Sequence, residues 1–366
     1  MTGLMNFLLP QADLAALVLA GLFSYCKMNC MKYHIVTFGC QMNKSDSERI
    51  AASLENDGYR PASKMSEADL IVVNMCSVRQ SAVDRVFGLA KKLKTLPAGK
   101  QVKTILTGCV LKKDKAKFRK IFDEIGAIET RSPAETWSRS QFIPISNGCD
   151  NFCTYCVVPH TRGPLVCRDH KEILSEVENA VKNGIKEIWL LGQNVNSYLS
   201  YYHCGRNGNK ITFSKLLERV NDVPGNFQIR FTSPNPADFS DELIKAMAKC
   251  EKVAKFLNLP AQSGDNEILK KMNRPYTVEQ YKNLVKKIRQ KIPDINLSTD
   301  VIVGFPGETK KQFGNTVKLF KEIRFNIAYI SKYSPRPGTA AFLLKDDVPI
   351  KEKKRREKIL MELIKR

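Results

Sequence analysis

The stretch Phe142-Ile-Pro-Ile-Ser-Asn-Gly-Cys-Asp-Asn-Phe-Cys-Thr-Tyr-Cys156 decides how the rest of the chain is read. Its apolar start, Phe142–Ile145, has the character of a buried strand and runs into three thiols, Cys149, Cys153 and Cys156, spaced C-x3-C-x2-C. Four-iron clusters are ordinarily held by four cysteine thiolates. A tight loop offering three leaves one iron without a protein ligand, and a small chelating molecule can bind there and be reduced. A zinc site is the alternative reading, because zinc usually closes its shell with a fourth Cys or His and His160 follows in the sequence.

Toward the N-terminus the chain alternates strand and helix patterns. Tyr33–Phe38, Asp69–Asn74 and Lys103–Thr107 read as buried strands, and each leads into a cysteine: Cys40, Cys76 and Cys109. A helix follows each one, the first with Asn43 or Ser45 as its cap, the second over Ser81–Leu93, the third Lys-rich. Such alternation implies a parallel sheet with right-handed crossovers, whose ligands gather at the carboxyl edge of the strands. Neighbouring strands lie about 5 Å apart, so three strand-end thiols can converge on a second cluster with an open iron. Buried cysteines acting as small hydrophobes are the plainer reading, but repetition at one topological point argues against it.

Beyond a polar connector from Ile128 to Gln141, containing Pro133, strand signals recur at Phe142–Ser146, Glu187–Leu191, Gln228–Phe231, Phe256–Leu259, Leu297–Val303 and Asn326–Ile330. Six βα-type repeats suggest a (β/α)6 partial barrel with its functional groups at the strands' C-terminal ends. The three-cysteine loop follows the first of these strands, as that architecture requires.

Composition supports two globular domains: 366 residues, 26% charged and 43% hydrophobic. Lys and Arg number 59 against 37 Asp and Glu, a formal net charge of +22 that favours phosphate-rich partners. Eleven cysteines in so long a chain do not form a small secreted disulfide scaffold and read as metal ligands in a reducing cytoplasm. Residues Leu8 to Phe23 are mostly apolar, but Pro10, Gln11 and Asp13 interrupt them and no Lys or Arg precedes them. That is too short for a membrane span and lacks a signal peptide's basic start. Residues 1–30, with Cys26 and Cys30, are therefore expected to lie outside the functional set. The expected units are a first domain at 31–132, a linker at 133–141, a partial barrel at 142–345 and a basic helical tail at 346–366.

The strand-end sequences carry a resemblance. The first half has Thr37-Phe-Gly-Cys-Gln-Met-Asn43, Asp46-Ser-Glu-Arg49 and Asn74-Met-Cys-Ser-Val-Arg79. The second has Gly148 to Gly163, Leu190-Leu-Gly-Gln-Asn-Val-Asn-Ser-Tyr198, Phe231-Thr-Ser-Pro234, Leu259-Pro-Ala-Gln-Ser-Gly264, Lys271-Met-Asn-Arg274, Asp300 to Thr309 and Tyr333-Ser-Pro-Arg-Pro-Gly-Thr339. From about Met31 onward the chain resembles the MiaB family of radical S-adenosylmethionine (SAM) tRNA methylthiotransferases. The resemblance implies an N-terminal parallel-sheet αβα methylthiotransferase domain, a radical SAM (β/α)6 partial barrel, two 4Fe-4S clusters and SAM. Cys149, Cys153 and Cys156 match the cluster that cleaves one SAM to a 5′-deoxyadenosyl radical. Cys40, Cys76 and Cys109 match the auxiliary cluster, whose sulfur is methylated by a second SAM. The implied reaction is methylthiolation at C2 of N6-isopentenyladenosine beside the tRNA anticodon.

SAM contacts are expected from Gly192 and Gln193 at the second barrel strand, Gln262 and Ser263 at the fourth, and Arg168 after the cluster loop. Arg162 is expected to meet SAM or RNA, whereas Arg274 and Arg336 carry no assignment. Phe152 and Tyr155 are expected to shield the cluster or stack on adenine; Cys167, Cys204 and Cys250 are expected not to be ligands. Met75 stands where the family commonly has Thr, which bears on hydrogen bonding in the auxiliary cluster's pocket. The family usually continues into a small RNA-binding TRAM β-barrel; this chain is expected to lack it, with Lys353-Lys-Arg-Arg356 in the connecting linker. A cytoplasmic monomer without a membrane, reduced by flavodoxin or ferredoxin, completes the expectation. The rivals are methylthiolation of threonylcarbamoyladenosine or of a ribosomal-protein aspartate, and a non-catalytic iron–sulfur or zinc RNA-binding protein.

Overall fold

The computed structural model describes residues 31–78, 80–93, 102–126, 128, 139–201 and 210–365. The N-terminal extension, most of the connector including Pro133, His203 and Cys204 lie outside the described residues.

The first half runs β1 (Lys32–Phe38), α1 (Gln41–Asn56), β2 (Arg60–Pro61), β3 (Leu70–Cys76), α2 (Gln80–Leu93), β4 (Lys103–Cys109), α3 (Lys112–Phe118) and β5 (Glu124–Ile125). Its strands are all parallel, in the order β2-β1-β3-β4-β5. A strand with helices on both faces reads as a continuous apolar run, and β3 is buried at every residue. The period of two divides its side chains. Ile71, Val73 and Met75 pack with Val83, Val86 and Leu89 of α2 and with Phe118. Leu70 and Val72 pack with Ile50 and Leu54 of α1. Met75 therefore belongs to the apolar core, fully buried, and its side chain bears on packing rather than on hydrogen bonding at a cluster.

The second half begins with β6 (Ser140–Pro144) and a short antiparallel pair, β7 (Ser146–Asn147) and β8 (Val166–Cys167), which brackets α4 (Val158–Thr161). Then come α5 (His170–Lys182), β9 (Glu187–Leu191), the antiparallel pair β10 (Leu199–Tyr201) and β11 (Lys210–Thr212), α6 (Phe213–Asp222) and β12 (Gln228–Phe231). The remainder is α7 (Asp241–Lys249), β13 (Phe256–Asn258), α8 (Asn266–Lys271), α9 (Val278–Lys291), β14 (Asn296–Val303), α10 (Lys310–Ile323), β15 (Ile327–Lys332) and α11 (Ile350–Ile364). Six parallel strands follow in spatial order β6-β9-β12 and β13-β14-β15, joined by a parallel bridge from Ile229 to Val253. This is an open (β/α)6 barrel. Its helices cover the outside, and Ile173, Leu216, Leu243, Ile288, Leu319 and Leu360 share one core with the strands.

The C-terminal helix is not a free basic linker. Lys353 and Arg356 are each 3% exposed. Lys353 Nζ reaches Asp346 at 2.6 Å, and Arg356 Nη1 reaches Glu308 at 2.6 Å. Two of the four charges in the basic run are thus consumed in holding α11 to the barrel. Among the described residues, no helix is long and apolar enough to cross a membrane.

The halves are joined by polar contacts. Ser45 Oγ donates to Phe142 O at 3.0 Å, and Arg336 Nη1 to Gln80 Oε1 at 2.7 Å. Arg49 pairs with Glu176 at 2.5 Å, and Arg168 with the same carboxylate at 3.0 Å.

Candidate active site

Parallel register brings the first triad together. Cys76 and Cys109 end β3 and β4 as directly paired residues, and Cys40 sits where β1 passes into α1. Gly108 makes the approach possible. Its φ is +91°, and a Cβ there would collide with Asn74 Oδ1 and the Met75 carbonyl. The Cys76 thiol stands between the other two and hydrogen-bonds both, which pushes its own pKa up. The same bonds, with the Arg162 charge nearby, lower Cys40 and Cys109. Thiols bind metal as thiolates, so loading this triad releases protons.

Asn43 and Ser45 do not cap α1. Cys40 holds the cap position without a side-chain bond, and Asn43 lies inside the helix, fully buried. Its Nδ2 donates to Asn74 Oδ1 at 2.8 Å and to Met75 O at 3.1 Å, while Asn74 Nδ2 donates back to Asn43 O at 2.8 Å. The Cys40 thiol meets Asn43 Oδ1 at 3.4 Å. Asn43 is therefore a buried brace that ties α1 and β3 together beneath the first triad.

The second triad is held by its own loop. Gly148 takes φ +84°, with no room for a Cβ against the Pro164 carbonyl. Its N–H donates to Gln193 Oε1 at 2.6 Å. Phe152 adopts φ 45° and is 59% exposed, so it is not a core residue. Asn273 Nδ2 donates to the carbonyls of Asn151 and Phe152, and Thr154 N–H donates to Met272 O at 3.1 Å. The segment Lys271–Arg274 thus braces the loop. Arg274, 9% exposed, donates from Nη1 to Cys153 Sγ at 3.4 Å and from Nη2 to Asn235 Oδ1 at 3.0 Å. Burial raises Cys149 and pushes Cys156 up to about 12.

A cavity of about 1260 Å³ opens from this triad toward the first domain. Cys149, Cys153, Cys156, Gln193, Gln262 and Arg274 line it, and Val78, Gln80 and Ser81, just beyond Cys76, form its roof. Arg336 also lines it and lies within electrostatic reach of Cys76. Of the residues expected at SAM, Gln193 and Gln262 face this cavity, whereas Gly192 lies below it against Ser146 and Val195. Ser263 is buried and accepts from Asp265 N–H. Arg168 is placed elsewhere. Its guanidinium is held by Pro144 O and Glu176, beside a separate cavity of about 750 Å³ between the halves. Arg162, expected at SAM or RNA, instead donates from Nε to Cys109 Sγ at 3.1 Å.

Each half matches a family description: residues 32–128 the uncharacterized protein family UPF0004, and residues 143–320 the radical SAM superfamily. Curated relatives span both. A tRNA-2-methylthio-N(6)-dimethylallyladenosine synthase from Syntrophomonas wolfei is 41% identical over 362 residues, covering 89% of this chain and 80% of its own. The synthase of that name from Acetivibrio thermocellus is 39% identical over 373 residues, covering 90% and 75%. The chain belongs to the tRNA-2-methylthio-N(6)-dimethylallyladenosine synthase family. As a member it is a radical SAM enzyme, with SAM and [4Fe–4S] clusters as its cofactors. Among solved structures, the radical SAM methyltransferase TsrM from Kitasatospora setae superposes with a TM-score of 0.60 at 14% identity, covering 85% of this chain and 75% of its own. The cobalamin-dependent radical enzyme OxsB gives 0.55 at 12%, covering 93% and 57%. At these identities the likeness speaks for architecture alone.

The donor sets fit that family's cofactors. Each triad presents three thiols, those of the loop lining the large cavity and those of the strand ends in mutual contact, and in a four-iron cluster each thiolate serves a different iron. Among the described residues, no three His, Cys, Asp or Glu side chains are arranged to hold a single metal ion. His160 lines a small pocket together with Cys153 and Cys156, yet among the described residues it is not arranged with them to hold a single metal ion. Cys167 accepts from Leu199 N–H, and Cys250 is buried in the barrel core; both stand apart from the triads.

Proposed function

We propose that this chain methylthiolates C2 of N6-isopentenyladenosine in tRNA, with Cys149, Cys153 and Cys156 holding the cluster that binds SAM and Cys40, Cys76 and Cys109 holding the auxiliary cluster. The observation that carries this reading is the pair of three-thiol sites in a chain of the synthase family, the barrel's triad lining a cavity whose far wall, Val78, Gln80 and Ser81, follows directly after Cys76 of the other. When bound, the clusters supply a low-potential electron to SAM and a transferable sulfur. The protein's part is placement. Gln193 fixes the loop through Gly148, Arg274 neutralises the Cys153 side, and the roof of Val78, Gln80 and Ser81 shields the reacting atoms from water. Ligand pockets typically measure about 300–1,000 Å³. A cavity of about 1260 Å³ leaves room for SAM beside a base turned out of its stack. Arg274 and Arg336 line its wall and suit an anionic guest, as the net charge of +22 suits an RNA chain. Supply of the electron by flavodoxin or ferredoxin, action as a monomer and residence in the cytoplasm belong to the same proposal, supported by the family and by the reaction's need for a strong reductant.

The test is anaerobic reconstitution followed by incubation with SAM, dithionite and isopentenyladenosine-containing tRNA, with mass spectrometry of the digested nucleosides. The methylthio nucleoside together with 5′-deoxyadenosine is the expected result. SAM cleavage without that nucleoside, given a tRNA of verified modification, overturns the substrate. No cleavage by protein loaded with both clusters overturns the catalytic reading.

A further inference from the structure

Arg162 follows the cysteine loop of the barrel, yet its side chain is spent at the other domain's triad. Its Nε donates to Cys109 Sγ at 3.1 Å, Nη2 to Asp46 Oδ2 at 2.7 Å and Nη1 to Asn147 Oδ1 at 3.0 Å. Asp46 belongs to α1 and Asn147 to β7, so both domains hold one guanidinium. The side chain is 11% exposed. A guanidinium is a rigid planar fork that cannot shed its charge, and three fixed acceptors leave it no other orientation.

We infer that Arg162 is a positioning residue for the auxiliary cluster, donated by the loop that carries the SAM triad. It fixes the Cys109 sulfur, draws charge from it, and ties the strand-end triad to the loop that carries the other. Hydrogen bonds to cluster sulfurs and local charge are levers that set an iron–sulfur potential. A charge-assisted N–H···S contact favours the more electron-rich, reduced state. The inference rests on the proposed assignment of Cys109 as a ligand. A plain alternative exists: Arg162 and Asp46 merely staple the two halves, which would lower stability on removal and leave both potentials where they were.

The experiment is a redox titration of the loaded enzyme followed by electron paramagnetic resonance, with and without SAM. SAM perturbs the signal of the cluster that binds it and so tells the two apart. Arg162→Gln is expected to move the auxiliary potential to more negative values and leave the SAM-binding cluster unchanged; Arg162→Lys, which keeps the charge but not the fork, should give a smaller shift. Loss of the auxiliary cluster alone from Arg162→Gln, restored by Lys, also supports the inference. Unchanged potentials with both clusters loaded, or equal shifts in both, overturn it. Should Arg162→Gln fail to fold, Asp46→Asn keeps the arginine and frees one arm. A smaller negative shift of the auxiliary cluster is then expected, and no shift overturns the inference. If the unaltered chain binds only one cluster, the ligand assignment has failed instead.

Discussion

The two triads present the same three donors but are assembled in opposite ways. Cys149, Cys153 and Cys156 lie in one loop whose shape is set locally, by Gly148 and Phe152 at positive φ and by the brace from Asn273. Cys40, Cys76 and Cys109 meet because β1, β3 and β4 are in register, an arrangement that exists only while the whole sheet does. The loop triad is therefore a local device and the strand-end triad a tertiary one. A local site should tolerate changes elsewhere in the molecule. A tertiary site should report them, losing its cluster when the sheet or the joint between domains loosens.

Removing one donor from each triad separates them most sharply. Cys153→Ala is expected to abolish formation of both 5′-deoxyadenosine and the methylthio nucleoside. Cys76→Ala is expected to abolish the nucleoside while SAM cleavage persists, read by chromatography of the same reaction. If Cys76→Ala also ends cleavage, the two sites are not independent and the contrast collapses.

The joint between domains comes next. Glu176 is buried between Arg49 and Arg168, with side chains 5%, 10% and 25% exposed. Glu176→Ala takes the carboxylate from the buried Arg49 guanidinium, while Arg168 keeps Glu172 at 3.7 Å; breaking a buried pair costs about 3–5 kcal/mol. Urea unfolding should show it, and iron analysis should show the auxiliary cluster lost before the SAM-binding one. Equal loss of both would contradict the local–tertiary distinction.

What could be read from the sequence divides along the same line. The bounds of β9 and β12 were legible to the residue, because Glu187–Leu191 is a compact, mostly apolar run and Gln228–Phe231 alternates polar and apolar residues. The convergence of Cys40, Cys76 and Cys109 was legible because a topological rule, strand end after strand end, substitutes for coordinates. Asn43 was misread as a cap, since polar residues near a helix start usually serve there. Only the packing of α1 on β3 reveals that its amide is buried against Asn74. Arg162 was expected at SAM or RNA and Arg274 had no assignment; neither thiol contact was legible, because the partners are 53 and 121 positions away and no local pattern encodes such a pairing. Arg168 was assigned to SAM by its nearness in sequence to the loop, and its actual partner, Glu176, belongs to the domain joint.

Asn43 gives a finer test of the tertiary site. Asn43→Ala strands Asn74 Oδ1 and the Met75 carbonyl in a dry interior, and a buried polar group left without its partner costs about 1–3 kcal/mol. Thermal unfolding of the metal-free chain should register that loss, and the auxiliary site should load less iron while the loop triad loads normally. Normal loading at both sites would show that the brace serves stability alone.

The smallest effect belongs to the end of the barrel far from both triads. Glu187 opens β9, and its carboxylate accepts from Ser140 Oγ at 2.7 Å, Trp189 Nε1 at 2.9 Å and Arg230 Nε at 2.6 Å. Partial burial pushes its pKa up, but the three donors and the Arg230 charge prevail and hold it below the ordinary value of 4.5. A carboxyl held low in the folded state adds stability above its unfolded pKa, and that stability is lost as pH falls through the folded value. Glu187→Gln should therefore lower the melting temperature near neutrality and flatten its decline below about pH 4.5. Partial exposure screens the group, so the effect should stay below about 1 kcal/mol. Catalytic groups of such barrels cluster at the opposite, C-terminal ends of the strands. SAM cleavage per loaded cluster should consequently be unchanged at neutral pH, and a fall in that rate would mean that the base of the barrel, like the sheet of the first domain, is coupled to its site.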